Sequence, residues 1–383
     1  MELHQGISAF TSSKMRFWSF ISMVLLVFVH GYNLNDRYLQ PWSTVSEPLG
    51  FNTFTQYFLA NALFRFRIPL LFIISGYLFA LGEEKETHKQ RVKKRVKTLL
   101  LPYFLWSGIG LAITFLLEVF PVSKAWVKAS ELNRISDTVF LLHEYDWKTL
   151  LGRWLIIPIP FQLWFIRVLF IYNLAYLIIK KWVLHPVYSK WFFGVVLFLW
   201  LHTAGFVFFE AEGLLFFGLG ILLQKKQINI EKWANVKLPT INTIGLTFIG
   251  LSLLKTVLAF SIYRININEI VAFYTLSILH KLIVLLGLIY AWFGLNKCVA
   301  WFMNKSYLKW LTSFSFIIYA LHVPIITYLI TPFTQLFAFS KQARFISFLF
   351  LPTLIIIASI LIGLILKILF PKVYFLLTGN RGK

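Results

Sequence analysis

The chain has 383 residues, of which 58% are hydrophobic, 19% aromatic and 14% charged. Soluble domains have about a quarter of their residues charged, so this composition excludes an ordinary water-soluble fold. The net charge of +22 does not indicate nucleic-acid binding, because helices surrounded by lipid present no continuous basic face. The lone Cys298 excludes an internal disulfide. Repeated apolar stretches of about 20 residues indicate a protein that crosses a membrane several times.

Ten apolar segments predict an all-α integral membrane protein, a bundle of about ten transmembrane helices in a single domain over 1–383. In chain order the predicted spans are 15–34, 57–81, 99–119, 161–180, 190–208, 212–224, 239–260, 268–293, 308–332 and 345–369. The first lacks a small-residue cleavage site, so we interpret it as a retained span rather than a signal peptide. The sixth, EGLLFFGLGILLQ, is short and contains glycines, which favours a tilted or partly spanning helix.

The distribution of lysine and arginine predicts the orientation of these spans. With the N-terminus inside, the cytoplasmic segments hold 23 of the 37 basic residues and the outer loops hold nine. The loop GEEKETHKQRVKKRVK (82–97) alone carries seven. This positive-inside pattern predicts that both termini are cytoplasmic. The only long outer segment, 120–160, has spaced apolar residues that predict amphipathic helices lying at the outer interface.

Charged residues within the spans are costly and by default indicate a functional site. The cations there are Arg65, Arg67, Arg167, Lys255 and Lys281, whereas acids are nearly absent. We expect Lys255 to extend to the interface from the outer end of its span. Arg67 lies about ten residues, or roughly 15 Å, into its span. Arg67 and Arg167 are therefore expected to line a wet cavity that receives an anionic ligand.

The stretch SFISMVLLVFVHGYN (19–33) places His30 about one helical turn before the outer end of the first span. Histidine gains and loses a proton near neutral pH, which suits it to accept a proton from a hydroxyl group. Two interpretations are open: a general base, or a membrane histidine whose hydrogen bond is satisfied by a neighbouring backbone carbonyl. For His202 and His280 we adopt the second interpretation.

Five stretches in register, SFISMVLLVFVHGYN, FRFRIPLLFIISGYLFA, KKRVKTLLLPYFLW, FQLWFIRVLFIYNLAYLI and SFSFIIYALHVPI, together resemble the acyltransferase 3 family of bacterial membrane acyltransferases. The resemblance spans nearly the whole chain and agrees with ten spans. It implies an O-acyltransferase of the bacterial plasma membrane that modifies cell-envelope polysaccharide. The implied reaction is transfer of an acyl group, commonly acetyl from acetyl-CoA, onto a hydroxyl of a glycan or related envelope molecule.

In the family's first-span motif an arginine precedes the catalytic histidine, and here His30 matches the histidine while Ser19 occupies the arginine position. Arg16 lies one turn earlier, about 40° from the face of His30 and roughly 21 Å below it. Two roles are therefore open for Arg16. It either replaces the missing arginine, as a contact to a phosphate group of the donor, or it is only a basic residue that flanks the cytoplasmic end of the span.

The second motif of the resemblance aligns Arg67, Pro69, Ser75 and Gly76 with a family segment. Pro69 releases a backbone hydrogen bond, and Gly76 allows another backbone to approach. In KKRVKTLLLPYFLW, a family basic pair would bind the anionic CoA end. Arg95 occupies the first position of this pair and Thr98 the second. Lys94 and Lys97 can supply the positive charge that Thr98 lacks.

The later motifs match at Trp164 and Arg167, and at Ser313, Tyr319 and His322. We expect these residues to contribute to substrate binding, and the resemblance assigns none of them an individual role.

The combined hypothesis is acyl transfer across the membrane. Arg95, Lys97 and Arg16 would hold the CoA phosphates on the cytoplasmic side. His30 would deprotonate the acceptor hydroxyl or briefly carry the acyl group, and Arg67 or Arg167 would stabilise the oxyanion. The acceptor would approach from outside.

Three other functions are open: a transporter or flippase for a lipid-linked glycan, a glycan polymerase or ligase, and a non-catalytic family member. No metal site is expected, because the histidines lack paired spacing with acids or cysteines. Membrane lipids are the expected surroundings, and the acyl chain, the acceptor and the oligomeric state stay open.

Overall fold

The computed structural model describes residues 7–231, 238–265 and 267–380. The regular secondary structure of these residues is helical apart from one two-stranded hairpin, which confirms the all-α prediction. The helices are α1 (Ala9–His30), α2 (Phe51–Tyr57), α3 (Arg67–Leu81), α4 (His88–Arg95), α5 (Leu101–Val119), α6 (Pro121–Ser130), α7 (Trp147–Leu155), α8 (Trp164–Leu174), α9 (Tyr176–Leu184), α10 (Tyr188–Leu201), α11 (Ala211–Lys225), α12 (Leu238–Arg264), α13 (Glu269–Ile289), α14 (Asn296–Asn304), α15 (Ser306–Leu311), α16 (Ser315–Gln335), α17 (Ala343–Leu369) and α18 (Pro371–Thr378). The antiparallel strands are β1 (Gly205–Phe206) and β2 (Phe209–Glu210).

Seven helical stretches of the described residues are long and apolar enough to cross a membrane. They are Ala9–His30, Phe51–Glu84, His88–Val119, Thr240–Arg264, Glu269–Gly294, Ser306–Gln335 and Ala343–Leu369. An eighth span results if Phe161–Leu174 and Tyr176–Leu184, bent by 68° at Ala175, count as one. The structure therefore supports seven or eight full-length spans rather than ten.

The difference from ten arises from two short helices. All ten predicted segments overlap helices, but the fifth, 190–208, runs past the end of α10 at Leu201 into strand β1. The helix α10 has 14 residues and α11 has 15. At 1.5 Å per residue each is about 21–23 Å long, which is less than the roughly 30 Å of a hydrocarbon core. The prediction that the sixth segment is short is confirmed.

The chain forms two compact units that alternate along the sequence. Unit 1 contains the residues up to Leu25, Leu34–His88 and Leu174–Thr312, and unit 2 contains Leu26–Asn33, Lys89–Asn173 and the residues from Ser313 onward. Nothing in the structure tests the single domain predicted over 1–383, or the side of the membrane on which the termini lie. Residues 1–6 and 381–383 lie outside the described residues.

In unit 1, α3 and α11 pack with their backbones in contact. A Cβ atom added to Gly76 would lie 2.2 Å from the carbonyl oxygen of Phe217, and one added to Gly220 would lie 2.2 Å from that of Ile73. Glycine on each helix is what allows this approach. The expectation that Gly76 admits a second backbone is confirmed.

In unit 2, α16 packs against α17, α6 and α5. The predicted amphipathic segment 120–160 forms α6 and α7, as expected. Its buried Val127 and Leu141 pack with Tyr328 of α16 into one apolar cluster. Trp147, Leu151 and Trp154 of α7 remain exposed. The segment is therefore a folded part of unit 2, attached to α16, rather than a loose loop.

Candidate active site

His30, the last residue of α1, lies beside a second histidine of unit 2. Its Nδ1 atom is 3.3 Å from Nε2 of His322 on α16. The ring of Phe161 also lies against the imidazole, with ring centroids 4.8 Å apart. The structure thus brings together two of the predicted site residues, His30 and His322, although 292 residues separate them in sequence.

The hydrogen bonds of His322 determine which nitrogen of His30 carries a lone pair. The fully buried His322 makes a 2.9 Å bond from Nδ1 to the carbonyl oxygen of Ile318. A carbonyl only accepts, so Nδ1 of His322 is the donor, and in the neutral ring its Nε2 accepts from Nδ1–H of His30. With its proton on Nδ1, neutral His30 has its lone pair on Nε2. That nitrogen can accept a proton or attack a carbonyl carbon.

A break in α16 leaves backbone carbonyl groups that hold the turn containing Phe161 beside His30. Val323 leaves helical geometry, and Pro324 has no N–H, so the carbonyl of Ala320 loses its usual partner four residues on. The buried amide of Gln162 donates to the carbonyl oxygens of Tyr319, Ala320 and Val323 at 3.2–3.3 Å. These bonds hold the turn that carries Phe161 against α16.

Tyr319 reinforces the same turn, because its buried hydroxyl donates to the carbonyl oxygen of Gln162 at 2.7 Å. The structure therefore places Tyr319 as a support of the His30 surroundings. The sequence analysis missed Gln162 and Phe161. A glutamine at the start of an apolar span was the available signal, since a polar amide there needs partners.

Arg167 and Trp164 lie on α8, on the same stretch of unit 2 as Phe161. The Arg167 guanidinium donates to the carbonyl oxygen of Ile156, which also accepts from the hydroxyl of Tyr103 at 3.2 Å. Trp164 is half-buried and meets Phe165 edge to face. Arg167 thus joins α8 to the end of the 120–160 segment.

The predicted CoA-binding residues Arg95 and Lys97 also belong to unit 2. They flank the change from α4 to a π-helical turn that leads into α5, where Arg95 is half-buried and Lys97 exposed. Thr98, at the second position of the expected basic pair, has its backbone against Gly379 after α18. Of the two predicted CoA-binding residues, Lys97 is the more accessible.

Four predicted site residues, Arg16, Ser19, Arg67 and Ser75, lie in unit 1. Ser19 donates its hydroxyl to the carbonyl oxygen of Met15 within α1 at 2.8 Å, and Arg16 is half-buried one turn earlier. Arg67 is buried at the start of α3, where its guanidinium donates to the carbonyl oxygen of Phe64 at 2.9 Å. Ser75 is half-buried, next to Gly76.

Lys255 does not extend to the interface, so that expectation was wrong. Its side chain is completely buried, and Nζ donates to the carbonyl oxygen of Asn61 at 2.6 Å. The reason is a π-helical turn at 58–62. Such a turn disrupts the regular ladder of backbone hydrogen bonds and leaves carbonyl groups to be satisfied from elsewhere. The Asn61 side chain also accepts from Arg65.

The expectation that the histidines outside the site are satisfied by backbone carbonyls is confirmed at one position of two. Nδ1 of His202 lies 2.9 Å from the carbonyl oxygen of Phe198. His280 is buried, and its Nδ1 has no hydrogen-bond partner among the described residues.

The sequence analysis overlooked one acid in unit 1. Glu212 in the first turn of α11 accepts from the indole of Trp200 at 2.8 Å and interacts electrostatically with Lys281. It is the first residue of the sixth predicted span, 212–224. Within the part of the chain that the structure describes, no three histidine, cysteine or acidic side chains are grouped so that they could hold a metal ion.

Comparison with known proteins identifies the family of this chain. Residues 15–370 match the model of an acyltransferase domain. A stretch of 113 residues is 28% identical to the succinoglycan biosynthesis protein ExoH of Rhizobium meliloti (strain 1021), and covers 29% of this chain and 29% of that protein. No solved structure is significantly similar to the chain. Because the match extends from the first span through the last, the chain belongs to the acyltransferase 3 family of membrane proteins.

Proposed function

We propose that this protein transfers an acyl group, acetyl from acetyl-CoA, to a hydroxyl of a cell-envelope glycan at the bacterial plasma membrane. The observation that carries the proposal is the contact between His30 and His322 in unit 2. It leaves the lone pair of neutral His30 on Nε2, as a base or nucleophile requires. The family membership supports acyl transfer as the reaction.

The proposed chemical step runs through His30. Its Nε2 takes the proton of the acceptor hydroxyl while the hydroxyl oxygen attacks the thioester carbonyl. Collapse of the tetrahedral intermediate breaks the carbon–sulfur bond, and the CoA thiolate leaves with the proton from His30. In the alternative course Nε2 itself attacks the thioester carbonyl, the carbon–sulfur bond breaks and the CoA thiolate leaves. The acceptor hydroxyl oxygen then attacks the acyl carbon, the carbon–nitrogen bond to His30 breaks, and the hydroxyl proton passes to the thiolate.

The negative charge on the intermediate needs a donor, because a preorganised positive group at a developing oxyanion lowers the barrier. Arg167 in unit 2 and Arg67 in unit 1 are the two proposed donors. Their guanidinium groups already donate to backbone carbonyls, which orients both side chains.

The donor phosphates are proposed to contact Arg95, Lys97 and Arg16. The remaining family positions are proposed to bind the substrates or support the site: Ser19, Ser75, Trp164, Tyr319 and His322. An exposed lysine such as Lys97 is free of internal packing and can follow a mobile nucleotide.

The acceptor is proposed to be a saccharide. The name of the Rhizobium meliloti relative refers to biosynthesis of the polysaccharide succinoglycan, which supports this class. The aligned part spans only 29% of that relative, and the identity of the sugar is open.

The test is His30→Ala in cells that otherwise lack the chain. Envelope polysaccharide is isolated and its acyl content measured by mass spectrometry and by incorporation of radioactive acetate. We expect acyl ester to be present with the unchanged protein and lost with His30→Ala. His202→Ala, which removes an exposed histidine of unit 1 whose ring bonds the carbonyl oxygen of Phe198, should leave labelling unchanged. Normal labelling with His30→Ala would reject the proposed function.

A further inference from the structure

A carboxylate–histidine pair lies in unit 2, at the end of α5 and in the 120–160 segment. The Glu118 side chain is completely buried. Its Oε1 accepts from the backbone N–H of Leu142 at 2.9 Å, and Oε2 accepts from the backbone N–H of His143 at 3.1 Å. Nδ1 of His143 donates to the same Oε2 at 2.7 Å. The imidazole is thus held by both its backbone and its side chain.

This arrangement leaves Nε2 of His143 available. With Nδ1 protonated towards Glu118, the neutral ring has its lone pair on Nε2. Half of the side chain is exposed, and Nε2 has no hydrogen-bond partner among the described residues. If Glu118 served only to anchor the 120–160 segment, the two backbone N–H groups would be enough to satisfy its carboxylate. The oriented and accessible imidazole therefore calls for an additional explanation.

Beside this pair is a buried polar network with an open acceptor. Nδ2 of Asn133 donates to the Tyr328 hydroxyl at 3.1 Å, and that hydroxyl bonds the Thr114 hydroxyl at 2.9 Å. The backbone carbonyl of Asn133 accepts from the hydroxyl of Tyr145. Asn133 is completely buried, yet its side-chain oxygen has no partner among the described residues. Buried polar atoms are rarely left unsatisfied, so this oxygen is an unused acceptor at which a hydroxyl group would complete the network.

The chemistry of these groups selects hydroxyl compounds. An imidazole lone pair and an amide oxygen both accept from hydroxyls, and neither offers a charge to an anion. The ring of Phe115 lies edge-on to His143 with centroids 5.0 Å apart, which adds an apolar surface for the C–H face of a sugar.

We propose that His143, oriented by Glu118, and Asn133 form a subsite that binds hydroxyl groups of the saccharide acceptor. This inference rests on the proposed function, because it assigns a binding place to the acceptor of that reaction.

The kinetic test uses purified full-length protein in detergent, acetyl-CoA, and envelope polysaccharide stripped of its esters by mild alkali. For His143→Ala we expect the KM for polysaccharide to rise about ten-fold, because the variant loses one hydrogen bond to the substrate. The KM for acetyl-CoA and kcat at saturating polysaccharide should be unchanged. The exposed His202→Ala serves as the matched control and should leave both KM values unchanged. An unchanged KM for polysaccharide in His143→Ala overturns the inference.

A second measurement needs no variant of His143. Diethylpyrocarbonate modifies accessible imidazoles, and mass spectrometry then quantifies the modification of each histidine. The stripped polysaccharide should protect His143 and leave His202 modified, whereas acetyl-CoA should protect neither. Modification of His143 at the same rate with and without polysaccharide overturns the inference, even if His143→Ala fails to fold.

Carrying out the protection experiment in the His30→Ala protein separates the two proposals. Protection of His143 there supports the saccharide subsite independently of turnover. Active His30→Ala protein rejects the catalytic proposal alone, and loss of activity in His30→Ala without protection of His143 rejects the subsite alone.

Discussion

At the scale of single residues, His322 selects the protonation pattern of His30 without carrying a charge. A triad carboxylate orients its histidine by accepting from one ring nitrogen. Here a buried imidazole takes that place, because its own Nδ1 is committed to the carbonyl of Ile318 and only Nε2 is left to accept. A neutral partner avoids the cost of burying an unpaired charge.

We predict that His322→Phe lowers kcat for acetyl transfer by about 10- to 100-fold, the rate equivalent of one hydrogen bond in the site. The ring volume is kept, so the protein should elute from a size-exclusion column in detergent as the unchanged chain does. His322→Gln retains an acceptor oxygen and should recover part of the rate. A kcat for His322→Phe equal to that of the unchanged protein would contradict this role.

Sequence reasoning at this scale succeeded where a residue type was unusual for its surroundings. A histidine in an apolar run is conspicuous, so His30 was found. It failed for Lys255, because the carbonyl that satisfies this lysine belongs to Asn61 on another helix. No local pattern around Lys255 contains that information.

At the scale of elements, the packing of α3 on α11 depends on glycine at the contact. The backbone of one helix occupies the place where a Cβ of the other would stand. Helices in a membrane associate through such close approach, since apolar burial alone does not favour protein over lipid.

Gly76→Val is expected to lower the stability of the protein by about 3 kcal/mol, because the added atoms overlap the backbone at Phe217. The measurement is the thermal unfolding midpoint in detergent, together with the yield of folded protein. Gly250→Val provides the control, as a Cβ there would meet nothing within 4 Å. Equal midpoints for the two variants would show that the contact has no energetic role.

The short hairpin before α11 contains a second element-scale feature. Burial, together with the negative charge of Glu212, raises the pKa of Glu210 to about 7, which the positive charge of Lys281 opposes only in part. A raised pKa means that folding favours the protonated acid. Its contribution to stability is complete below about pH 4.5, the unfolded value, and is lost as pH rises through about 7.

Glu210→Gln should therefore raise the unfolding midpoint relative to the unchanged protein at pH 8 and have little effect at pH 4.5. The difference between a pKa of 4.5 in the unfolded chain and about 7 in the folded protein corresponds to up to roughly 3 kcal/mol at pH 8. Unfolding curves in detergent at the two pH values measure the difference. A gain of the same size at both pH values would show that ionisation of Glu210 is not the cause.

At the scale of the whole molecule, the asymmetry of basic residues makes a prediction about orientation. The loop 82–97 alone carries seven lysines and arginines, and such loops stay in the cytoplasm.

Fusions provide the measurement. Green fluorescent protein attached after residue 383 should fluoresce, and alkaline phosphatase at the same point should be inactive. Alkaline phosphatase inserted after residue 137, in the exposed turn of the 120–160 segment, should be active. Phosphatase activity at the C-terminus would reverse the predicted orientation.

The sequence by itself determined the membrane class, the approximate places of the helical segments, the family and the candidate His30. These follow from apolar runs, charge distribution and short motifs, all of which are local properties of the chain. Only the tertiary structure decided that α10 and α11 are too short for full spans, that Gln162 supports the turn beside His30, and that His322 and His143 are oriented as described. Each of those findings depends on hydrogen bonds between distant positions or on where a helix ends, and the folded backbone brings those groups together.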